Sequence, residues 1–172
     1  MQNPFVTRFI QFNVRHRLAS PKKRTLLAVS GGMDSVVMCS LFAMAGYPFA
    51  IAHCNFQLRG KDADGDEQFV KDLGANLKVE VFTKRFDTAA YAENRKVSIQ
   101  VAARELRYEW FESIRKEKEL NLIATAHHLN DNLETVLYNL AKGTGIRGLR
   151  GIPIRQKQII RPMLFATREE VE

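Results

Sequence analysis

Cysteine is scarce in this sequence: only Cys39 and Cys54 occur among 172 residues, and neither belongs to a CxxC motif or a Cys/His metal-ligand spacing. This scarcity argues against a disulfide framework, a zinc site and an iron–sulfur cluster. A reducing compartment is the natural setting for such a chain, so we expect a cytoplasmic protein. Long hydrophobic runs are missing as well. No apolar stretch approaches the roughly 20 residues that a membrane-spanning helix needs, so we expect no membrane association.

Acidic residues are absent from two long segments of the chain. None precedes Asp34, and none occurs between Val136 and Arg168, whereas both segments carry several arginines and lysines. The net charge is +7, and the acids lie in the middle of the chain. Two basic segments of this kind predict a polyanionic partner such as nucleic acid. A solvated basic surface that only aids solubility is the alternative.

The N-terminal segment, residues 1–17, carries Phe5, Phe9 and Phe12 on one face of a possible helix. A mitochondrial transit peptide and an amphipathic helix packed on a domain both fit this pattern. Serine is scarce in the segment, which runs straight into the first predicted strand. We therefore favour a packed helix.

What the sequence does contain is an alternation of short apolar runs with longer helical patterns, within a hydrophobic content of 45%. The predicted strands are 25–30, 49–54, 78–83, 121–126 and a short one at 158–161. The predicted helices are 4–18, 35–45, 62–76, 88–120 and 129–142, with another starting at 167–170. This order predicts one α/β domain, 1–172, with a doubly wound parallel sheet and helices on both faces. Ligands then bind at the carboxyl ends of the strands.

The turn after the first predicted strand reads Ser30-Gly31-Gly32-Met33-Asp34-Ser35. A glycine-rich turn that opens a helix directs backbone N–H groups at one point and stabilises an anion there. Gly31 and Gly32 allow a phosphate to approach the backbone, and Ser30 and Ser35 add hydroxyl donors. The carboxylate of Asp34 repels phosphate unless Mg²⁺ lies between them. An ordinary turn with a capped helix is the simpler alternative.

Two other phosphate-binding motifs do not account for this turn. A Walker A motif requires a lysine after the glycines, and none is present. A GxGxxG pattern occurs at 143–148, but it follows a predicted helix instead of a strand. We interpret that copy as a chance match.

Polar side chains also follow the later strands of the predicted sheet. If a helix begins near residue 129, Asp131 and Glu134 share one face, and His127 lies toward the same side. Two carboxylates and a histidine suit Mg²⁺, an amine, or both. A helix cap with a solvated acidic face is the alternative.

Two further groups of residues are candidates for ligand contact. Arg104 and Arg107 lie on a predicted helix at a spacing that suits recognition of a phosphate or carboxylate, or else a solvated surface. His53 and Asn55 leave the second strand and are candidates for adenosine contact. The alternative is that His53 is a hydrogen-bonded histidine at the strand end with a structural role only.

Several segments together resemble the tRNA(Ile)-lysidine synthetase family, within the superfamily of N-type ATP pyrophosphatases that share the pyrophosphate (PP) loop. The resemblance spans residues 26–172 and rests on SGGMDS, HCNFQLRG, QVAARELRY, TAHHLNDNLET, GTGIRGLRGI and RPML. Phe56 stands where that family usually has histidine. The family's C-terminal tRNA-binding domains have no counterpart here, so we expect a catalytic domain from a longer chain.

The resemblance implies an enzyme that ligates free L-lysine to C2 of the wobble cytidine of tRNA(Ile) with a CAU anticodon. ATP first adenylates the cytidine, and the lysine amine then displaces AMP. The implied cofactors are ATP and Mg²⁺. The resemblance leaves open whether the protein forms a homodimer. A PP-loop tRNA thiolase and a non-catalytic adenine-nucleotide-binding module remain the alternatives.

The resemblance also distributes roles among the candidate residues. It implies that the phosphates contact the PP loop (Ser30, Gly31, Gly32, Asp34, Ser35) and that adenosine lies near His53 and Asn55. Lysine would be recognised by Asp131 and Glu134, and the metal by Asp34 and Asp131. Arg104 and Arg107 would meet a carboxylate or the adenylate phosphate, and His127 would stabilise charge near the α-phosphate. Arg147 and Arg150 would reach the tRNA.

Overall fold

The computed structural model describes residues 3–58, 60–143 and 149–172. The helices are α1 (Pro4–Arg15), α2 (Met33–Met44), α3 (Lys61–Leu77), α4 (Thr88–Arg95), α5 (Ile99–Glu117), α6 (Leu129–Ala141) and α7 (Arg168–Val171). The strands are β1 (Thr25–Ala28), β2 (Phe49–Asn55), β3 (Val81–Arg85), β4 (Leu122–Ala124), β5 (Arg155–Gln156) and β6 (Ile159–Ile160). Within these ranges, every helix is too short or too polar to cross a bilayer.

The strands form one sheet in the order β3-β2-β1-β4-β6-β5. All neighbouring pairs are parallel except β5 and β6, which form an antiparallel hairpin at one edge. The predicted parallel α/β sheet is therefore confirmed, and the hairpin is an addition that the sequence did not indicate. The order reverses between β1 and β4, and a crevice for ligands opens at such a point.

The helical stretch predicted over 88–120 is wrong in one respect, because it consists of two helices. Lys96 ends α4 in a left-handed conformation with φ 54°. Ser98 then caps α5, accepting a hydrogen bond from the backbone N–H of Val101. The strand predicted over 78–83 begins later, at Val81, because α3 runs to Leu77 and Lys78 closes it with φ 56°.

The hydrophobic core lies on both faces of the sheet because side chains alternate along each strand. Leu27 faces the cluster that includes Phe9, Met38 and Phe42, while its neighbour Leu26 faces a second cluster. Phe9 is fully buried, with its ring 5.5 Å from that of Phe42. The N-terminal segment is thus a helix packed on the domain, as its pattern of phenylalanines suggested.

An ion-pair network centred on the buried carboxylate of Glu67 holds α3 against the ends of β2 and β3. Glu67 accepts hydrogen bonds from Lys71 at 2.7 Å, Arg85 at 2.9 Å and the amide of Asn55 at 3.1 Å. The bond from Lys71 is the largest of the effects that lower the pKa of Glu67 from 4.5 to about 2, with Asn55 and Arg85 assisting. The carboxylate form therefore stabilises the fold.

We expect Glu67→Gln to lower the free energy of unfolding by about 2 kcal/mol, since hydrogen bonds to a buried charge are lost. Because the folded-state pKa lies below 4.5, this stabilisation is fully present above pH 4.5 and is lost as the pH falls toward 2. Denaturant unfolding at several pH values measures both effects. Glu80→Gln is the control, because the Arg24–Glu80 pair is exposed. An equal loss in both variants would contradict the prediction.

Candidate functional site

A cleft of about 360 Å³ opens at the carboxyl ends of β1 and β4, within the range typical of small-molecule sites. Its polar and aromatic lining comes from four places: the turn before α2, the end of β2, helix α5 and the segment before α6. The residues include Ser30, Gly32, Asp34, Ser35, Cys54, Phe56, Arg104, Arg107, Tyr108, Thr125, His127 and Asp131. Segments far apart in sequence therefore meet in one site.

The turn before α2 is held in shape by its own hydroxyl groups. The Ser35 hydroxyl donates to the carbonyl of Gly32 at 2.7 Å, and the backbone N–H of Gly32 donates to the Ser30 hydroxyl at 3.2 Å. Met33 and Asp34 are the first residues of α2, where backbone N–H groups have no partner within a helix. Such groups are available to an anion in the cleft.

Gly31 occupies a backbone conformation that only glycine adopts without strain. Its φ is +95°, and a Cβ atom added there would lie 3.3 Å from the carboxylate of Asp66. The sequence suggested that Gly31 allows close approach of a phosphate. The structure adds that the turn itself requires glycine.

His128 lies between two carboxylates and was not selected from the sequence. It is the N-cap of α6. Its ring Nδ1 accepts a hydrogen bond from the backbone N–H of Asp131, and its backbone N–H donates to the Asp131 carboxylate at 2.9 Å. In that arrangement its proton sits on Nε2, which is 3.8 Å from Oδ2 of Asp34. The side chain is almost fully buried. His128 therefore orients Asp131 through the helix cap and lies close to Asp34 without a hydrogen bond to it.

His127 borders the same cleft in a neutral state. Its Nδ1 is 2.9 Å from the Thr125 hydroxyl. Burial is the largest effect that lowers the pKa of His127 below 6.5, and the charge of Arg161 adds to it, while Asp131 opposes it. The imidazole is consequently uncharged near pH 7, and a bound anion would favour its protonation.

Arg104 and Arg107 of α5 reach the cleft and lie over aromatic rings. Arg104 is 4.9 Å from the ring centre of Tyr108, and Arg107 is 5.1 Å from that of Phe56. These contacts fix the planar guanidinium groups while leaving their edges available for an oxyanion. Phe56 and Tyr108 are cleft residues to which the sequence analysis gave no role.

The structure does not bring His53 and Asn55 to the cleft surface. His53 is buried and donates from Nδ1 to the carbonyl of Val29 at 2.9 Å. Asn55 is also buried and binds Glu67 of α3. Because side chains alternate along β2, Cys54 faces the cleft instead, followed by Phe56. Burial raises the pKa of Cys54 to about 12, so its thiol is protonated and is not a nucleophile.

Glu134 lies one turn beyond Asp131 but does not line the cleft. It is mostly exposed and pairs with Arg168 of α7 at 3.4 Å. The sequence placed both acids on one helical face, but Asp131 points inward as part of the helix cap.

Arg147 and the GxGxxG pattern at 143–148 lie outside the described residues, apart from Gly143. Arg150 is exposed.

The described residues include no group of three or more histidine, cysteine, aspartate or glutamate side chains arranged to hold a metal. Asp34 and Asp131 nevertheless line one cleft beside the Ser30 and Ser35 hydroxyls. Mg²⁺ is commonly bound by one or two carboxylates together with substrate phosphates and water. These hard oxygen donors therefore fit Mg²⁺ that arrives with a phosphate ligand.

The parallel sheet and its anion-binding turn define a nucleotide-binding α/β domain. The model of the PP-loop domain matches residues 1–172, and the chain belongs to this family of ATP-binding domains. The expected PP-loop resemblance is therefore confirmed.

Named relatives agree with that assignment. The chain is 44% identical over 164 residues to a tRNA(Ile)-lysidine synthase of Bacteroides thetaiotaomicron, covering 95% of this chain and 38% of that one. It is 45% identical over 168 residues to the synthase of Chlorobaculum tepidum, covering 95% and 51%. The chain thus spans about half or less of the length of these relatives.

Solved structures share the fold at lower identity. The U34-tRNA thiolase of Methanococcus maripaludis superposes with a TM-score of 0.75 and 19% identity, covering 97% of this chain and 60% of that one. An NH3-dependent NAD synthetase of Campylobacter jejuni gives 0.62 and 17%, covering 97% and 67%. These two similarities establish the fold alone.

Proposed function

We propose that this domain catalyses ATP-dependent ligation of free L-lysine to C2 of the wobble cytidine of tRNA(Ile) with a CAU anticodon. The observation that carries the proposal is the single cleft that joins the anion-binding turn, two carboxylates and two arginines. The lysidine synthase relatives at 44% and 45% identity support the same reaction.

The first step transfers AMP to the cytidine. The C2 oxygen of cytosine attacks the α-phosphorus of ATP, forming an O–P bond, and pyrophosphate leaves. The turn from Ser30 to Ser35 binds the phosphates through backbone N–H and hydroxyl groups. Mg²⁺, when bound with ATP, neutralises phosphate charge, and Asp34 is the first candidate to hold it, with Asp131 beside it. His127 borders the same cleft and would stabilise the charge that develops near the α-phosphate.

The second step forms the new C–N bond. The ε-amine of lysine attacks C2 of the adenylated cytidine, and AMP leaves with the former C2 oxygen. An amine with a pKa of about 10.4 must first lose a proton, and a carboxylate at the cleft can orient the ammonium group and assist that loss. Asp131 lines the cleft and suits this role, with Glu134 as the outer candidate.

The proposed contacts of adenosine follow the lining of the cleft. Phe56 and Cys54 line the cleft at the end of β2 and would contact the base there, with the Arg107 guanidinium lying over the Phe56 ring. His53 and Asn55, which the sequence favoured, support this segment from beneath. A role for them in binding adenosine would therefore be indirect.

The test is a reaction of the complete natural protein with ATP, lysine and the isoleucine tRNA. We expect pyrophosphate release that requires the tRNA, followed by a mass gain of one lysine residue on the wobble cytidine. A tRNA whose wobble base is uridine is the control substrate. A mass change that corresponds to sulfur would instead identify a thiolase. Nucleotide binding without pyrophosphate release would identify a binding module.

The thiolase alternative rests on the fold similarity with a TM-score of 0.75. That thiolase is described with a 4Fe–4S cluster. Here Cys39 is buried in the core and Cys54 is a protonated thiol, and the sequence has no third cysteine. The lysine ligase is the better-supported function.

We expect Asp131→Asn to raise the KM for lysine by about tenfold while changing the KM for ATP much less. The asparagine oxygen can still accept from the N–H of His128, so the helix cap is retained. Glu134→Gln is the comparison, because Glu134 lies outside the cleft lining. Steady-state titrations of each substrate measure the effect. Equal changes for lysine and ATP would assign Asp131 to the nucleotide or the metal.

A further inference from the structure

A second groove of about 420 Å³ adjoins the cleft along α5. The β5–β6 hairpin forms its opposite wall, and Arg161 follows that hairpin. Arg104 and Tyr108 line both the groove and the cleft, so the two spaces border each other at these residues. The groove is the part of the structure that the proposed mechanism has not used.

Arg161 is a buried cation whose donors are incompletely paired. Only 4% of the residue is exposed, and its Nη1 donates to the carbonyl of Pro153 at 2.6 Å. Its Nε is buried and has no hydrogen-bond partner among the described residues. A guanidinium stays charged in a protein, and burying one without an anion is costly.

The acid that lines the groove is not the missing partner. Glu112 is bound through both oxygens by Arg115, with each contact at 2.7 Å. Arg104 and Lys157 add positive charge to the groove wall. The groove therefore combines unmatched positive charge with a buried, unpaired guanidinium N–H, which is the composition expected of an oxyanion site.

We propose that Arg161 binds the α-carboxylate of the amino acid substrate, at the junction of this groove with the cleft. The inference rests on the proposed function and adds to it a residue that determines substrate specificity. Asp131 is the partner of the ammonium group in that function, so the two residues would recognise opposite ends of one zwitterion.

The positions of the charges agree with a ligand that carries opposite charges at its two ends. Asp131 lines the cleft and Arg161 lines the groove, and Arg104 and Tyr108 line both. A lysine that lies across this boundary would contact Asp131 with its ε-ammonium group and Arg161 with its carboxylate. The planar fork of a guanidinium matches a carboxylate through two parallel hydrogen bonds.

The burial of Arg161 favours a small carboxylate over a phosphate of the RNA backbone. Contacts to RNA phosphates generally come from accessible side chains that position the nucleic acid on the surface. Arg161 is almost fully covered and lines the groove. Exposed cations such as Arg155 and Lys157 suit the RNA backbone better.

The test compares lysine with cadaverine, which has the same terminal amine but no carboxylate, in the complete natural protein with ATP and the isoleucine tRNA. We expect the wild-type protein to prefer lysine by roughly 30-fold in kcat/KM, as for loss of hydrogen bonds to a charged group. Arg161→Gln should lower kcat/KM for lysine but not for cadaverine, and so remove most of that preference. Arg161→Lys should retain part of it. Arg155→Gln, which removes an exposed cation of the same hairpin, should keep the wild-type ratio.

Three results would overturn the inference. One is equal use of lysine and cadaverine by the wild-type protein, which requires no variant to fold. Another is an unchanged ratio in Arg161→Gln. The third is a rise in the KM for tRNA in Arg161→Gln while the KM for lysine stays unchanged. This result would identify an RNA phosphate as the ligand. If no lysine adduct forms at all, the proposed function fails separately. Calorimetric binding of lysine and cadaverine to the wild-type protein then still decides whether the carboxylate is recognised.

Discussion

Asp34→Asn should reduce formation of the adenylated cytidine by about 100-fold or more while leaving the fold intact. A neutral amide is a poor ligand for a hard cation, and loss of groups that organise a metal site commonly costs this much. Asp34 is at the N-terminus of α2, is half exposed in the cleft, and faces Nε2 of His128 at 3.8 Å. Its replacement by an isosteric amide leaves the packing of the core unchanged.

The measurement for Asp34→Asn is pyrophosphate release across a magnesium titration, with thermal unfolding as the check on folding. Asp66→Asn is the matched control, because Asp66 approaches the turn at Gly31 but does not line the cleft. We expect the control to keep the wild-type magnesium requirement. A wild-type magnesium profile in Asp34→Asn would remove this residue from the metal site.

Gly31→Ala should weaken ATP binding by roughly 10- to 100-fold, because the φ of +95° costs an alanine about 1–2 kcal/mol or forces the turn to rearrange. Rearrangement redirects the backbone N–H groups at the start of α2, and these are the proposed phosphate donors. Isothermal calorimetry with ATP in the presence of Mg²⁺ measures the change in affinity.

Gly46→Ala is the control for the cost of a left-handed conformation by itself. Gly46 has φ +66°, lies just beyond the other end of α2, and has open space where a Cβ would be added. We expect a similar loss of stability in this variant but unchanged ATP affinity. Equal affinity losses in both variants would mean that general destabilisation, and not the shape of the turn, controls binding.

The sequence predicted the elements of the fold with good accuracy because their signals are local. Alternating apolar runs indicated the strands, and Thr167 with the acids after it marked the start of α7, where a capping box is present. The break between α4 and α5 was missed because two residues, Lys96 and Ser98, decide it against a continuous helical pattern. The short strand predicted at 158–161 corresponds to β6, but β5 and its antiparallel pairing were missed because β5 is only two residues long and pairs only with β6 among the described strands.

The candidate site was only partly predictable. The turn at 30–35, Arg104, Arg107 and Asp131 carry recognisable chemistry, and the turn contributes residues to the cleft lining together with these three side chains. His53 and Asn55 were chosen by their position at a strand end, but the direction of a side chain depends on which face of β2 is covered. Phe56 and Tyr108 have no polar signal and acquire a role only through the arginines that lie over them.

By itself, the sequence determined the α/β class, the position of the anion-binding turn and the resemblance to the PP-loop family, because each depends on residues that are close together in the chain. Only the tertiary structure decided which side chains share the cleft. It placed Asp34 and Asp131 on either side of His128, turned Glu134 toward Arg168, and left Arg161 buried with an unpaired Nε. Burial and pairing of this kind depend on contacts between distant segments, for which a single sequence carries no direct signal.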